Sequence, residues 1–193
     1  MKTVPAAPGA ADLLLPTRRR ALQTLAGVAA ATILPGFAQT NDFWSRPREL
    51  WLYRPESNEQ VRAVYWADGQ LVLEGYVQIC RLLRDIHVGA TVQFDPVTLD
   101  IARGLYGWLL SAGINRPLII NSGYRTKGTN SKIEGAAKES FHTRAQALDL
   151  RIEGVSPEAV GRFGLYLAGG GVGFYPGKKF THLDRGRVRS WVG

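Results

Sequence analysis

Short runs of β-forming residues open the mature part of the chain. Glu49 to Tyr53, Val61 to Trp66, and Leu71 to Leu73 beyond an Asp68-Gly69 turn alternate or cluster apolar positions as a hairpin or small meander does. The period then lengthens. Gly75 to Ile86 and Pro96 to Ala112 carry apolar residues at helical spacing, and the second run has Asp95 as N-cap, Pro96 at its first position and Gly113 past its end. Pro117 to Ile120 predicts a buried strand ending in Asn121-Ser122-Gly123-Tyr124-Arg125, and residues 126 to 139 are polar and aperiodic, a functional or mobile loop. A strand over Ala147 to Ile152, a helix over Pro157 to Ala168 capped by Ser156, and strands over Val172 to Tyr175 and Phe180 to Asp184 complete the reading. Strands and helices do not alternate regularly, so the class is α+β, a small, mainly antiparallel sheet flanked by helices.

The first forty residues follow another logic. Thr17-Arg18-Arg19-Arg20, the apolar run Ala21 to Leu34 and the small residues around Pro35 to Ala38 predict a signal peptide over 1–38, leaving one domain over 39–193. The apolar run is short for a permanent span, and no later segment is long enough. Consecutive arginines before a modestly hydrophobic stretch resemble the twin-arginine type of leader, although Ala21 stands where a bulkier residue is usual, so the ordinary secretory route stays open. Both routes lead out of the cytoplasm, to the periplasm.

Charge and cysteine change the picture little. The formal charge of +8 falls to +5 without the leader, and the basic residues are scattered. That suits an anionic polymer such as the cell wall and does not by itself indicate nucleic acid. Cys80 is the single cysteine, so neither an internal disulfide nor a thiolate metal cluster is available, and it reads as a small core residue beside Leu73, Tyr76, Val77 and Leu83. The glycines Gly169, Gly170, Gly171 and Gly173 follow a helix and open a strand. That is the reverse of a phosphate loop, so they read as a helix stop and close packing.

Of the three histidines, His87 closes a predicted helix and reads as a partner of its dipole. The other two stand beside aspartates, in Ser140-Phe141-His142, Ala147-Leu148-Asp149 and His182-Leu183-Asp184. Two histidines and a carboxylate are a ligand set of catalytic zinc. Strand alternation puts His182 and Asp184 on one face, and a neighbouring strand can aim Asp149 at the same point. On spacing alone, two unrelated histidines explain the pattern as well.

These residues, with Ser122-Gly123-Tyr124-Arg125, Asn130, the spacing Ser-x-His-x-x-x-x-Ala-x-Asp from Ser140 to Asp149, Gly170 to Tyr175, His182-x-Asp184, Arg189 and Trp191, resemble a known family. It is that of the zinc peptidases which include D-alanyl-D-alanine carboxypeptidases and dipeptidases and share a fold with the hedgehog signalling domain, and within it the branch of MepK-like murein endopeptidases. The resemblance implies that His142, Asp149 and His182 bind Zn2+, that Arg125 faces the scissile carbonyl, and that peptidoglycan stem peptides are the partner. Two departures matter. Ala145 replaces a usual glycine, and Lys179 and Phe180 stand where many relatives place a Glu or His as general base. Asp184 is the nearest acid, as base or as a residue orienting an imidazole. Three activities fit: a murein endopeptidase, a D,D-carboxypeptidase or dipeptidase with the same metal, and an inactive zinc module that binds wall peptides.

Overall fold

The structure, a computed structural model, describes residues 43–193. The expected signal peptide, 1–38, lies outside the described residues. Among those described, no helix is long and apolar enough to cross a membrane.

Strands β1 (Arg48–Arg54), β2 (Glu59–Ala67) and β3 (Gln70–Leu71) form the expected meander. Helices α1 (Leu73–Leu82) and α2 (Pro96–Ser111) lead to β4 (Leu118–Ser122). A short helix α3 (Lys127–Ser131), strand β5 (Ala147–Arg151), helix α4 (Pro157–Leu167) and strands β6 (Gly171–Tyr175), β7 (Phe180–Asp184) and β8 (Arg189–Val192) follow. All eight strands form one sheet in the order β3-β2-β1-β4-β5-β7-β6-β8. The pairs β1 with β4 and β6 with β8 are parallel, the rest antiparallel. The α+β class therefore holds, with a sheet that is larger and more mixed than the sequence predicts. A parallel β1–β4 pair requires a crossover, and α1 and α2 supply it.

Both predicted caps are present: Asp95 accepts from the Thr98 N–H at 3.0 Å and Ser156 from the Ala159 N–H at 3.2 Å. Helix α1 ends four residues before the predicted Ile86. Arg54, almost wholly buried, donates to the carbonyls of Leu82 and Arg84, satisfying the end of the helix from outside. His87 consequently lies beyond the helix, exposed and 4.0 Å from Glu56, and the helix-dipole reading does not apply to it. Cys80 is buried as expected, beside Tyr76, Ile79 and Leu83, whereas Leu73 and Val77 of the predicted apolar face are exposed.

Helices α1, α2 and α4 cover one face of the sheet. Leu50, Leu52, Leu105, Leu148 and Leu183 are at most 1 % exposed there, each contributing about 1.5–3 kcal/mol by burial. Gly164 of α4 sits against Val172 and Leu183. Period-2 alternation then turns the neighbours of those strand residues, Asp149 and His182, to the opposite face.

Candidate metal centre

The site is laid out as rows across the sheet. Ser122 pairs with Asp149, Asp149 with His182, His182 with Gly173, and Gly173 with Trp191, so one row crosses five strands. The adjacent row runs Ala147, Asp184, Gly171, Arg189. Both glycines are spaces. A Cβ on Gly173 would lie 2.6 Å from the Trp191 indole, and one on Gly171 would lie 2.1 Å from Arg189 Nη1. The side chains of β8 thus lean over β6 toward β7, and the Trp191 and His182 ring centres are 5.3 Å apart.

His142 comes from outside the sheet. Ser140 accepts from the His142 N–H at 3.3 Å and starts a 3-10 turn over Phe141–Arg144. The turn is closed by Ala145 at φ 55°, a left-handed conformation. Glycine adopts that conformation without strain, whereas alanine pays about 1–2 kcal/mol. Ala145 is nonetheless buried, and Asp95 N donates to its carbonyl at 3.0 Å.

Three donor atoms converge. His142 Nε2 is 3.2 Å from Asp149 Oδ1 and 3.2 Å from His182 Nδ1, which is 2.8 Å from Asp149 Oδ1. The other nitrogen of each ring is committed. His142 Nδ1 donates to the Gly123 carbonyl at 2.7 Å, and His182 Nε2 donates to Asp184 Oδ2 at 3.1 Å. Each tautomer so fixed points a lone pair into the triangle. Four-coordinate zinc with bonds of about 2.0–2.1 Å holds its ligands roughly 3.3 Å apart, so both the donors and their spacing fit that ion.

The electrostatics agree with such a triangle. Burial lowers the His142 pKa, against the pull of Asp149. At His182 burial also works downward, but hydrogen bonds to Asp149 and Asp184 outweigh it and the pKa is raised. Burial alone would raise Asp149, yet the two imidazoles hold it well below the usual carboxylate range. Asp184 is likewise held low, its hydrogen bonds to His182, Arg189 and the Gly186 N–H overcoming burial.

Asp184 has little capacity left. Its Oδ1 accepts from Gly171 N at 3.2 Å, Gly186 N at 2.7 Å and Arg189 Nη1 at 3.0 Å, while Oδ2 accepts from Arg189 Nη2 at 2.7 Å and from His182. Arg125 donates through Nη2 to Asp149 Oδ2 and through Nε to Ser122 Oγ at 2.7 Å. Its backbone is fixed from three sides: Tyr124 N donates to Leu83 O, Arg125 N to His142 O and Thr126 N to Asp85 Oδ2. Thr126 also caps α3, which places a helix inside the segment the sequence reads as loop.

A hollow of about 580 Å³ opens over the triangle between residues 133–142 and the Tyr175–Phe180 edge, and a second of about 280 Å³ adjoins it. Arg125, Ile133, Asp149, Lys178 and Phe180 line both. Phe180 stacks on Tyr175, ring centres 4.5 Å apart, at the edge of the hollow. Among the described residues, the other carboxylates lining the larger hollow are Glu134 and Glu139. The expected ligands, Arg125 and Asp184 thus all gather at one place. The sequence alone gives Arg189 and Trp191 no role, although their spacing of two, matched by Gly171 and Gly173, is the signal of a strand pair.

A family model described as peptidoglycan L,D-endopeptidase MepK matches residues 43–191. The chain is similar to the peptidoglycan L,D-endopeptidase MepK of Escherichia coli (strain K12), 34 % identical over 178 residues, covering 90 % of this chain and 96 % of that one. The Shigella flexneri protein of the same description gives the same identity and coverage. The probable peptidoglycan L,D-endopeptidase MepK of Haemophilus influenzae is 34 % identical over 117 residues, 58 % of this chain and 61 % of that one. No solved structure matches the chain.

Proposed function

Because the chain belongs to the peptidase family described as peptidoglycan L,D-endopeptidase MepK, we propose that it hydrolyses peptide crosslinks of bacterial peptidoglycan with one zinc ion held by His142, Asp149 and His182. The observation that carries this reading is the triangle of three donors, each ring nitrogen fixed from behind. When bound, zinc supplies a Lewis acid that polarises a carbonyl and brings the pKa of water toward neutrality. The chain's own residues do the rest. Arg125 stands beside Asp149 with N–H donors beyond the two already used, suited to a developing oxyanion. Asp184, its acceptors filled, keeps the His182 proton on Nε2. Proton transfer then falls to Glu134 or Glu139 at the rim of the hollow.

Two joined hollows on either side of Asp149 and Arg125 favour an endopeptidase, since a crosslinked peptide continues beyond the scissile bond in both directions. The aromatic Phe180 in place of a base favours a second reading, a zinc module that binds wall peptides without cutting them. A D,D-carboxypeptidase with the same metal is the third reading. The fold shared with the hedgehog domain belongs to the same proposal. So does export through the leader at Arg18 to Arg20, tested by following export after Arg18→Lys with Arg19→Lys.

Digestion of crosslinked muropeptides with and without a chelator tests the activity. The endopeptidase converts dimers to monomers and stops when chelated. Loss of terminal D-Ala alone identifies the carboxypeptidase, and binding without any product identifies the inactive module.

A further inference from the structure

We infer that Arg189 is a positioning residue of the metal centre: its guanidinium holds the Asp184 carboxylate against the far nitrogen of His182, so that His182 offers Nδ1 to an ion. The inference rests on the proposed zinc reading and adds a residue to it. The chain of contacts is continuous. Arg189 grips both Asp184 oxygens at 3.0 and 2.7 Å, and Asp184 Oδ2 in turn accepts from His182 Nε2 at 3.1 Å. In a neutral imidazole whose one N–H is committed, the other nitrogen carries the lone pair, and only that nitrogen binds metal. A carboxylate able to swing away would leave the ring to exchange tautomers or turn over.

The surroundings of the guanidinium are built to stop that swing. Its central carbon lies 5.5 Å from the Phe141 ring centre and 4.7 Å from that of Trp191, so two aromatic rings hold it. The backbone makes room as well. A Cβ on Gly171 would come within 2.1 Å of Arg189 Nη1, and a Cβ on Gly186 within 2.9 Å of the same atom and 2.6 Å of the Phe141 ring. Gly171 pairs with Asp184 on one side and with Arg189 on the other, so the arginine reaches its carboxylate across a strand residue that has no side chain. An arginine whose only task was to neutralise a buried acid needs a charge nearby. This one has a two-point fork, two aromatic contacts and two glycines, which together fix an orientation, and a lysine ammonium does not reproduce the fork.

Zinc affinity, read by competition with a chromophoric chelator, separates positioning from simple charge balance. The proteins compared are the wild type, Arg189→Ala, Arg189→Lys, Asp184→Ala, the Arg189→Ala/Asp184→Ala pair, and Arg187→Ala as a control for lost charge on the same turn. Thermal unfolding without metal is followed in parallel. Arg189→Ala is expected to bind zinc about 10–100-fold more weakly, as other residues behind metal ligands do, and Arg189→Lys to recover only part of that loss. The pair should bind no more weakly than Asp184→Ala alone, because Arg189 acts through Asp184. Wild-type affinity in folded Arg189→Ala, or losses that simply add in the pair, overturns the inference. Should Arg189→Ala fail to fold, Arg189→Lys carries the comparison, and wild-type affinity there overturns it equally. Failure of the wild type to bind zinc removes the metal reading itself and is seen before any variant is measured.

Discussion

Asp149 on β5 and His182 on β7 stand directly opposite each other in the sheet, with Oδ1 of the one 2.8 Å from Nδ1 of the other. His182 already donates its Nε2 proton to Asp184, so a second proton or a cation must lie between Nδ1 and the carboxylate. The purified protein is therefore expected to hold one zinc per chain, and Asp149→Ala or His182→Ala to lose it. Elemental analysis decides the matter: folded protein without zinc after zinc has been supplied contradicts the centre.

On the proposed zinc reading, proton and metal should compete for that contact. Hydrogen bonds to Asp149 and Asp184, outweighing burial, raise the His182 pKa above its ordinary 6.5. In the metal-free protein the protonated pair stabilises the fold below the ordinary value, and that contribution is lost as pH rises through the raised one. Zinc affinity should run the other way, rising with pH and falling about tenfold per pH unit on the acid side of the raised pKa. A metal titration flat over about pH 5–8 would exclude this competition.

Asp184→Asn separates the two roles open to that residue. As the group orienting His182, it should cost about tenfold or more in zinc affinity, with turnover largely restored by added zinc. As the general base, it would cost about a hundredfold in turnover at unchanged affinity. The filled acceptors of Asp184 lead us to expect the first result, with Glu134→Gln or Glu139→Gln giving the loss of turnover instead.

Arg125→Ala is expected to lower turnover about 10²–10³-fold while zinc stays bound, the scale of losing an oxyanion donor. Unchanged turnover together with lost zinc would assign Arg125 to holding Asp149 and nothing more.

Gly123 is a packing point rather than a conformational one. A Cβ there would meet the Leu83 carbonyl oxygen at 2.4 Å, and the Gly123 carbonyl is the acceptor that fixes His142. Gly123→Ala should lose about 1–3 kcal/mol of stability, on the scale of overpacking, and weaken zinc binding. Gly128→Ala, where a Cβ meets nothing within 4 Å, serves as the control in thermal unfolding.

Local chemistry was readable in advance where it is strong. Asp95-Pro96 and Ser156-Pro157 start their helices as written, and the alternation around Asp149 and His182 places both on one face. What escaped depends on contacts between distant segments. Helix α1 stops where Arg54, from another strand, takes its last carbonyls. Strand β8 is four residues long and pairs with β6 across two glycines, too short a run for alternation to reveal. Helix α3 has the Thr126 cap but little apolar patterning. The order of strands around β5 likewise depends on pairings that no single segment encodes.

The row of Ser122, Asp149, His182, Gly173 and Trp191 has a consequence for how the chain folds. A slip of one residue between β5 and β7 would turn His182 into the helix-covered face and leave Asp149 opposite a leucine or a threonine. Only the native register gathers all three donors, so zinc held there as proposed would stabilise that register alone and none of the shifted pairings. Metal supplied during refolding should therefore act as a proofreader of strand alignment, raising the yield of correctly paired sheet rather than merely tightening one already formed.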